Sequence, residues 1–285
     1  MSVSVQSVLS GRRPADVSTQ PFAHVVVENC LPWDLYDKLA ATFPSDDQIL
    51  RMSRAGQRGP ARCNQRHNAS AHQILGKRTL HPLWEEFVRY HSSTEFFLEI
   101  VDVFGPAIRA THPTLETRLG RSLELLTPGI RFGHTDRGSI SLDCQVAINT
   151  PVLQAGNARR IYAGAPQELF AMILYFRHEN DDSTGGDLEI WRWKAGHQPV
   201  FFGKQANESD AEYVATIPYQ ANTLVAFINS EWALHCVSKR QPTPHSRRLV
   251  SIVGDVYRHL PQGLFVKRQK PFGRLRQRVK DLLSF

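Results

Sequence analysis

Side chains capable of chemistry concentrate between residues 173 and 252. His235 follows a hydrophobic run and a polar turn, and a double arginine, Arg247 and Arg248, comes twelve and thirteen residues later. An imidazole can bind a metal ion or transfer a proton, although a single histidine is more often structural. Four carboxylates of this stretch fit a solvated turn and strand edge better than an acid–base pair. They are Asp181, Asp182, Asp187 and Glu189.

The order of motifs around His235 resembles the C-terminal half of the iron(II)/2-oxoglutarate-dependent oxygenases, in the branch similar to prolyl hydroxylases. The matching parts are the YF pair at Tyr175, then GGDLEI, NTLVAF, LHCV and an arginine that opens the last strand. The resemblance implies a double-stranded β-helix, a jelly-roll or cupin-like barrel, with iron(II) bound by His235. It also implies an arginine that binds 2-oxoglutarate through a bidentate salt bridge. Arg248 is preferred, because LVSIVGDV then follows in the family's register, and Arg247 is the second choice.

Two positions depart from the family's pattern. Relatives carry a His-x-Asp pair at the end of the second barrel strand, which completes a facial triad of two histidines and one carboxylate for iron(II). Aligned back from the ILYF strand, Tyr162 stands at the histidine position and Gly164 at the aspartate position. The spacing from Tyr162 to His235, 73 residues, still fits the family.

A His-x-Asp sequence also occurs upstream, at His134 and Asp136 in PGIRFGHTDRGS, and PG followed by HTD resembles the family's approach to its ligand pair. If strand 144–149 pairs antiparallel with the segment that ends near Gly164, residues before that strand approach the position lacking ligands. We therefore predict that iron(II) is bound by His235, His134 and Asp136. The possible pocket residues are Tyr162, Gly164, Tyr175, Trp191 and Trp232.

The first part of the chain has helical patterns. LPWDLYDKLAATFP, which begins at Leu31, places its apolar residues on one face, and HPLWEEFVRYHSS and STEFFLEIVDVFG follow. In the last segment Ser92 and Glu95 have capping-box spacing, and Gly105 is the expected end of the helix. The basic segment 51–70, rich in Gly and Pro, is predicted to be a loop.

After Leu119 the pattern changes to short extended segments without helical patterns between them. The predicted strands are Leu123–Leu126, Cys144–Asn149, Leu169–Phe176, Leu188–Trp191, Val200–Phe202, Tyr213–Ile217, Thr223–Ile228 and Leu249–Val253. This spacing favours an antiparallel barrel or sandwich. The predicted class is mainly β with N-terminal helices (α+β). We expect a helical region at 1–117, an oxygenase-like core at 118–260 and a basic amphipathic tail at 261–285.

Composition limits the classes of partner. The net charge of the 285 residues is +7, and seven basic residues against one acid from Lys267 onward contribute +6 of it. The tail is therefore expected to pack on its own domain or to contact a partner or an acidic surface. No nucleic-acid-binding motif is present, so no nucleic acid is expected. Without a signal-peptide pattern or a long apolar stretch, we predict a cytoplasmic protein with no transmembrane segment.

The leading prediction is a dioxygenase that hydroxylates a small or carrier-bound metabolite with iron(II) and 2-oxoglutarate. The first alternative is a catalytically inactive oxygenase-like barrel that binds a ligand or a partner. A second alternative makes the basic tail the functional element.

Overall fold

The computed structural model describes residues 5–53, 62–77, 80–132, 138–156 and 159–270. The helices are α1 Trp33–Ala41, α2 Asp46–Met52, α3 Ala71–Lys77, α4 Pro82–Tyr90, α5 Thr94–Thr111 and α6 Leu115–Leu119. The strands are β1 His24–Val27, β2 Arg66–Ala69, β3 Pro128–Ile130, β4 Ile140–Asn149, β5 Arg159–Tyr162, β6 Glu168–Tyr175, β7 Leu188–Trp193, β8 Phe201–Phe202, β9 Gln205–Ala206, β10 Ala211–Ile217, β11 Leu224–Ile228, β12 Leu234–Val237 and β13 Arg247–Asp255.

The strands form two sheets. The seven-stranded sheet has the order β1-β11-β6-β13-β4-β2, with β3 beside β4, and the six-stranded sheet has the order β10-β7-β12-β5-β9-β8. From β4 onward the chain passes repeatedly between them. β4, β6, β11 and β13 belong to the larger sheet, and β5, β7, β10 and β12 belong to the smaller one. Two strands from the first 117 residues, β1 and β2, extend the larger sheet at its two edges.

The two faces of the larger sheet have different neighbours, because successive side chains of a strand point to opposite sides. On one face Val146 and Val250 join the main core with the helices. On the other face Phe227 packs with Ile190 of the smaller sheet. Ala147, Leu249 and Tyr175 form a further cluster with Tyr219. We call the space between the two sheets the interior.

Aromatic side chains attach the helices to the outer face of the larger sheet. The ring of Phe176 lies 4.9 Å from Tyr36 of α1, 5.3 Å from Trp84 of α4 and 5.5 Å from Phe43, measured between centroids. Trp84 and Phe176 are almost fully buried. Within the described ranges, no helix has the length and apolar character that crossing a bilayer requires.

The prediction of sheets preceded by N-terminal helices is confirmed, and several local expectations are wrong. Helix α5 does not end at Gly105 but continues through Pro106 to Thr111, because Phe104 and Ile108 are buried in the core. Burial of an apolar face outweighs the weak helix propensity of glycine. The N-cap of this helix is Ser93, whose hydroxyl accepts a hydrogen bond from the Phe96 amide at 3.3 Å, so the proposed pair of Ser92 and Glu95 is not the cap.

Two predicted boundaries on the β side are also wrong. The predicted strand Leu123–Leu126 is instead a 3-10 helix over Leu123–Leu125. The predicted loop 51–70 contains the end of α2 and all of β2, and residues 54–61 within it lie outside the described ranges. The Gly- and Pro-rich composition of this segment did not indicate a strand, because β2 is stabilised by pairing with β4 rather than by the strand propensity of its own residues.

The antiparallel pairing predicted between strand 144–149 and the segment that ends near Gly164 does not occur. Strand β4 pairs with β13, β2 and β3, whereas β5 pairs with β12 and β9 in the other sheet. The alternation of the chain between two sheets separates consecutive strands that a simple meander would pair.

Candidate functional site

His235 lies on β12 and points into the interior. Its imidazole packs between Tyr162, at 4.3 Å between ring centroids, and Phe227 of the opposite sheet, at 4.8 Å. The ring nitrogen Nδ1 lies 3.0 Å from the carbonyl oxygen of Ala233, so we assign the proton to Nδ1. A histidine that donates its Nδ1 proton to a backbone carbonyl presents Nε2 in the form that binds a metal ion. The histidine identified from the sequence is therefore suitable as a ligand.

Tyr162 stands directly across from His235 in the pairing of β5 with β12. A phenol therefore lies beside the imidazole at the position where the family resemblance expects a second histidine. Two residues further along, the backbone N–H of Gly164 donates to Oδ1 of Asn229 at 3.0 Å. A Cβ atom at residue 164 would lie 2.7 Å from that oxygen. The side chain of Asn229 thus occupies the space that a carboxylate at residue 164 would need.

Asn229 also holds the turn between β5 and β6, since its Nδ2 donates to the carbonyl oxygens of Ala165 at 2.7 Å and Glu168 at 2.9 Å. The side chain is buried. Asn229 is not among the site residues predicted from the sequence, in which its only signal is a polar residue directly after the apolar NTLVAFI run.

The Gly164→Asp variant, which restores the family's carboxylate, is expected to lower the free energy of unfolding by about 2 kcal/mol, because the new side chain overlaps Asn229. Asn229→Ala alone should cost about 1–3 kcal/mol through its lost hydrogen bonds. The double variant should cost clearly less than the sum, because removing the Asn229 side chain makes room for the introduced carboxylate. Urea unfolding of the unmodified protein, the two single variants and the double variant measures this double-mutant cycle. Additive losses in the free energy of unfolding would contradict the overlap.

The two adjacent arginines of β13 face opposite sides of the sheet. Arg247 is buried in the interior, with its guanidinium carbon 4.8 Å from the ring centre of Tyr175 and 5.1 Å from that of Tyr219. The guanidinium of Arg248 lies 5.3 Å from the ring centre of Phe43, on the side of the helices. The structure therefore brings Arg247, and not the preferred Arg248, into the space that His235 faces.

Backbone and amide oxygens hold the Arg247 guanidinium in place. Its Nε donates to the carbonyl oxygen of Gly186 at 2.7 Å, and its Nη1 lies 3.4 Å from Oδ1 of Asn149. Gly186 belongs to the GGDLEI motif, in the turn before β7, and its φ of +86° is a conformation that glycine adopts without strain. The turn is therefore one of the elements that position Arg247.

Two buried polar atoms of the interior, Nη2 of Arg247 and the hydroxyl oxygen of Tyr175, have no hydrogen-bond partner among the residues that the structure describes. Burial raises the pKa of the Tyr175 phenol, and the positive charge of Arg247 acts in the opposite direction. Tyr175 therefore keeps its proton and can donate it. The Arg247 guanidinium lies over the Tyr175 ring, and a carboxylate oxygen can accept from a guanidinium N–H or from a phenol O–H.

His235 and Arg247 both face the interior, and other side chains connect the two parts of it that they occupy. Ile173 packs both against the cluster that contains Phe227 and against the cluster that contains Tyr175. The phenol of Tyr162, which contacts His235, is also among the groups that raise the pKa of Tyr175. A ligand near Tyr175 would thus lie in the same space as the histidine.

The predicted ligands His134 and Asp136 lie outside the described residues. Within the described part of the chain there is no group of three or more His, Cys, Asp or Glu side chains that could hold a metal ion. His235 alone is not a facial triad, and Tyr162 and Gly164 supply neither an imidazole nor a carboxylate. The described residues by themselves therefore fit a carboxylate group but do not fit an iron ion.

The two tryptophans proposed for the pocket are placed differently from the other pocket residues. Trp191 lies on the outer face of the smaller sheet, where it packs near Leu234 and Cys236 and its ring is 5.9 Å from Tyr213. Trp232 is half-exposed in the turn before β12. Tyr162 and Tyr175 face the interior, so the structure brings these two together with His235 and Arg247 but does not bring Trp191 to them.

No protein-family model and no curated protein matches the chain. Among solved structures, a prolyl 4-hydroxylase from Phytophthora capsici is similar with a TM-score of 0.42 and 16% identity over 81% of this chain, which spans 58% of that protein. A prolyl-4-hydroxylase from Pseudomonas putida has a TM-score of 0.42 and 15% identity, over 81% of this chain and 91% of its own. A rice dioxygenase for auxin oxidation has a TM-score of 0.40 and 13% identity, over 82% of this chain and 72% of its own. Similarities this low do not assign an activity.

Proposed function

We propose that the protein is a 2-oxoglutarate-dependent oxygenase built on a double-stranded β-helix, and that Arg247 and Tyr175 bind the distal carboxylate of 2-oxoglutarate. The observation that carries the proposal is the pair of buried donors, Nη2 of Arg247 and the Tyr175 hydroxyl, which have no partner within the described ranges. Leaving such groups without an acceptor costs about 1–3 kcal/mol each, and a bound carboxylate that accepts from them would recover this free energy.

The chain's own residues give this carboxylate site its orientation. The rings of Tyr175 and Tyr219 cover the Arg247 guanidinium, and Gly186 fixes the direction of Nε. In such a buried setting the attraction between guanidinium and carboxylate is stronger than in water. The bound dicarboxylate would extend from Arg247 toward His235.

The proposal also includes iron(II), bound by His235 together with His134 and Asp136. Iron(II) in such a site supplies the oxidation of an unactivated C–H bond, while the protein supplies geometry and excludes water. Only His235 of these ligands is among the described residues. The proposed substrate is a small or carrier-bound metabolite in the cytoplasm. The basic tail, described only as far as Lys270, is proposed to contact the protein's own domain or an acidic partner.

Succinate formation from 2-oxoglutarate, measured with anaerobically added iron(II) and then oxygen, tests this function. We expect turnover by the unmodified protein and a loss of at least about 100-fold in His235→Ala and in His134→Ala, because removing a ligand affects a metal site more strongly than removing its outer-shell support. Tyr162→Phe, which keeps the ring beside His235, serves as the matched control and should retain turnover. Equal losses in Tyr162→Phe and His134→Ala would contradict the proposed ligand set.

A second function, ligand binding without catalysis, is favoured by one specific observation. Asn229 fills the space beside Gly164 and supports the turn, as expected where a metal ligand has been replaced by a structural contact. In that case calorimetry would detect 2-oxoglutarate binding that depends on Arg247, and no succinate would form under any condition.

A further inference from the structure

Strand β2 brings a second arginine to the interior. His67 and Ala69 of this strand are buried on the side of the helices, where Ala69 joins the main core and Nδ1 of His67 lies 3.3 Å from Oγ of Ser53. Because side chains alternate along a strand, Arg66 and Asn68 point to the opposite face. That face is the interior, since Asn68 pairs with Ala147, which packs against Tyr175.

The pairing of three neighbouring strands sets Arg66, Asn149 and Arg247 in one row across the sheet. Arg66 is directly opposite Asn149 on one side, and Arg247 is directly opposite Asn149 on the other. Neighbouring strands lie about 4.8 Å apart, so the two arginine backbones are about 10 Å apart with their side chains on the same face. Two side chains of this length can reach a single anionic group between them.

The charge around Tyr175 supports this arrangement. Arg66 and Arg247 are both among the groups that lower the pKa of the buried Tyr175 phenol. Oδ1 of Asn68 accepts a hydrogen bond from Nε of Arg66 at 2.6 Å, which orients the guanidinium. Of the carboxylates in the turn before β7, Asp187 accepts from the Tyr219 amide at 2.8 Å and Oδ1 of Asp181 accepts from the Ser183 amide at 3.0 Å, whereas Oδ2 of Asp181 has no partner among the described residues. No ion pair links Arg247 to a carboxylate in the described part of the chain.

We propose that Arg66 is a second anion-binding residue of this site, and that the interior selects ligands with a distal carboxylate through two arginines rather than one. The inference rests on the proposed function for the identity of 2-oxoglutarate, but it concerns ligand selection and not turnover. Arg66 would cover the carboxylate from the β2 edge while Arg247 and Tyr175 bind it from β13 and β6.

Calorimetric titration of the full chain with 2-oxoglutarate and with 2-oxovalerate, which lacks the distal carboxylate, tests the inference. In Arg66→Gln the Kd for 2-oxoglutarate should rise about 10-fold, as expected for one lost charge-assisted hydrogen bond, and the Kd for 2-oxovalerate should stay unchanged. Arg66→Lys, which keeps the charge but not the planar fork, should show a smaller loss. Arg89→Gln, on an exposed position of α4, is the matched control and should bind as the unmodified protein does.

No binding of 2-oxoglutarate to the unmodified protein would refute both proposals, whereas unchanged binding in Arg66→Gln or equal weakening of both ligands would overturn this inference alone. Binding that depends on Arg66 in a protein that forms no succinate would support the inference while refuting the oxygenase proposal. The two failures are therefore distinguishable.

Discussion

Arg247→Gln is expected to raise the Kd for 2-oxoglutarate by about 100-fold or more, which is the largest effect on binding that we predict. The substitution removes the buried charge and Nη2, the donor that has no partner among the described residues. Loss of a charge-assisted hydrogen bond costs about 1.5–3 kcal/mol, and the loss of the opposite charge adds to it. Isothermal titration calorimetry with 2-oxoglutarate measures the change directly.

The adjacent residue supplies the control for this prediction. Arg248→Gln removes the same charge from the next position of the same strand, but the Arg248 guanidinium lies over Phe43 on the helical side. Its Kd for 2-oxoglutarate should therefore stay within about twofold of the unmodified value, because a guanidinium on the helical side of the sheet cannot contact a ligand in the interior. Loss of binding in Arg248→Gln with retention in Arg247→Gln would restore the preference that the sequence suggested.

Gly185→Ala should lower the free energy of unfolding by about 3 kcal/mol, the largest stability effect that we predict. Residue 185 has a φ of +77°, and a Cβ there would lie 1.9 Å from the backbone carbonyl oxygen of Lys239. Backbone cannot swing aside as a side chain can, so the turn and segment 238–241 must separate. The hydrogen bond from the Gln241 amide to the Thr184 carbonyl oxygen, 3.1 Å long, would be lost with them.

Substitution of a second glycine distinguishes the cost of the steric clash at residue 185 from the cost of the left-handed backbone conformation. Gly196 has nearly the same φ, +78°, but a Cβ there would meet nothing within 4 Å. Gly196→Ala should therefore cost only about 1 kcal/mol, the strain of a left-handed conformation. Urea unfolding at unchanged m-value compares the two variants. Equal losses would show that the close approach to Lys239 contributes nothing to stability. Gly185→Ala should also weaken 2-oxoglutarate binding, because Gly186 no longer positions Arg247.

Local patterns in the sequence predicted the general architecture well. The strands appear as short apolar segments because alternation and β-branched composition are properties of a few neighbouring residues. The segments around Leu169 and Thr223 became β6 and β11, which pair with each other in the larger sheet. His235, singled out through the resemblance of the LHCV motif to the oxygenase family, lies buried in the interior between Tyr162 and Phe227.

Sequence patterns could not predict which of the two adjacent arginines faces the interior. A shift of one residue in the register of a strand exchanges its two faces, so Arg247 and Arg248 cannot be told apart without the pairing partners. The pairing of Arg247 with Asn149 places Arg247 on the interior face, which it shares with Ala147 and Leu249. The antiparallel pairing expected for strand 144–149 failed for a different reason, because its expected partner belongs to the other sheet.

The sequence by itself determined the kinds of element, because these depend on residues close together in the chain. Only the tertiary structure decided that Asn229 fills the space beside Gly164 and that β2 carries Arg66 to the row of Arg247. Both contacts join segments far apart in sequence. These contacts are stabilised by burial and by hydrogen bonds that form when the sheets assemble, so short sequence patterns do not predict them.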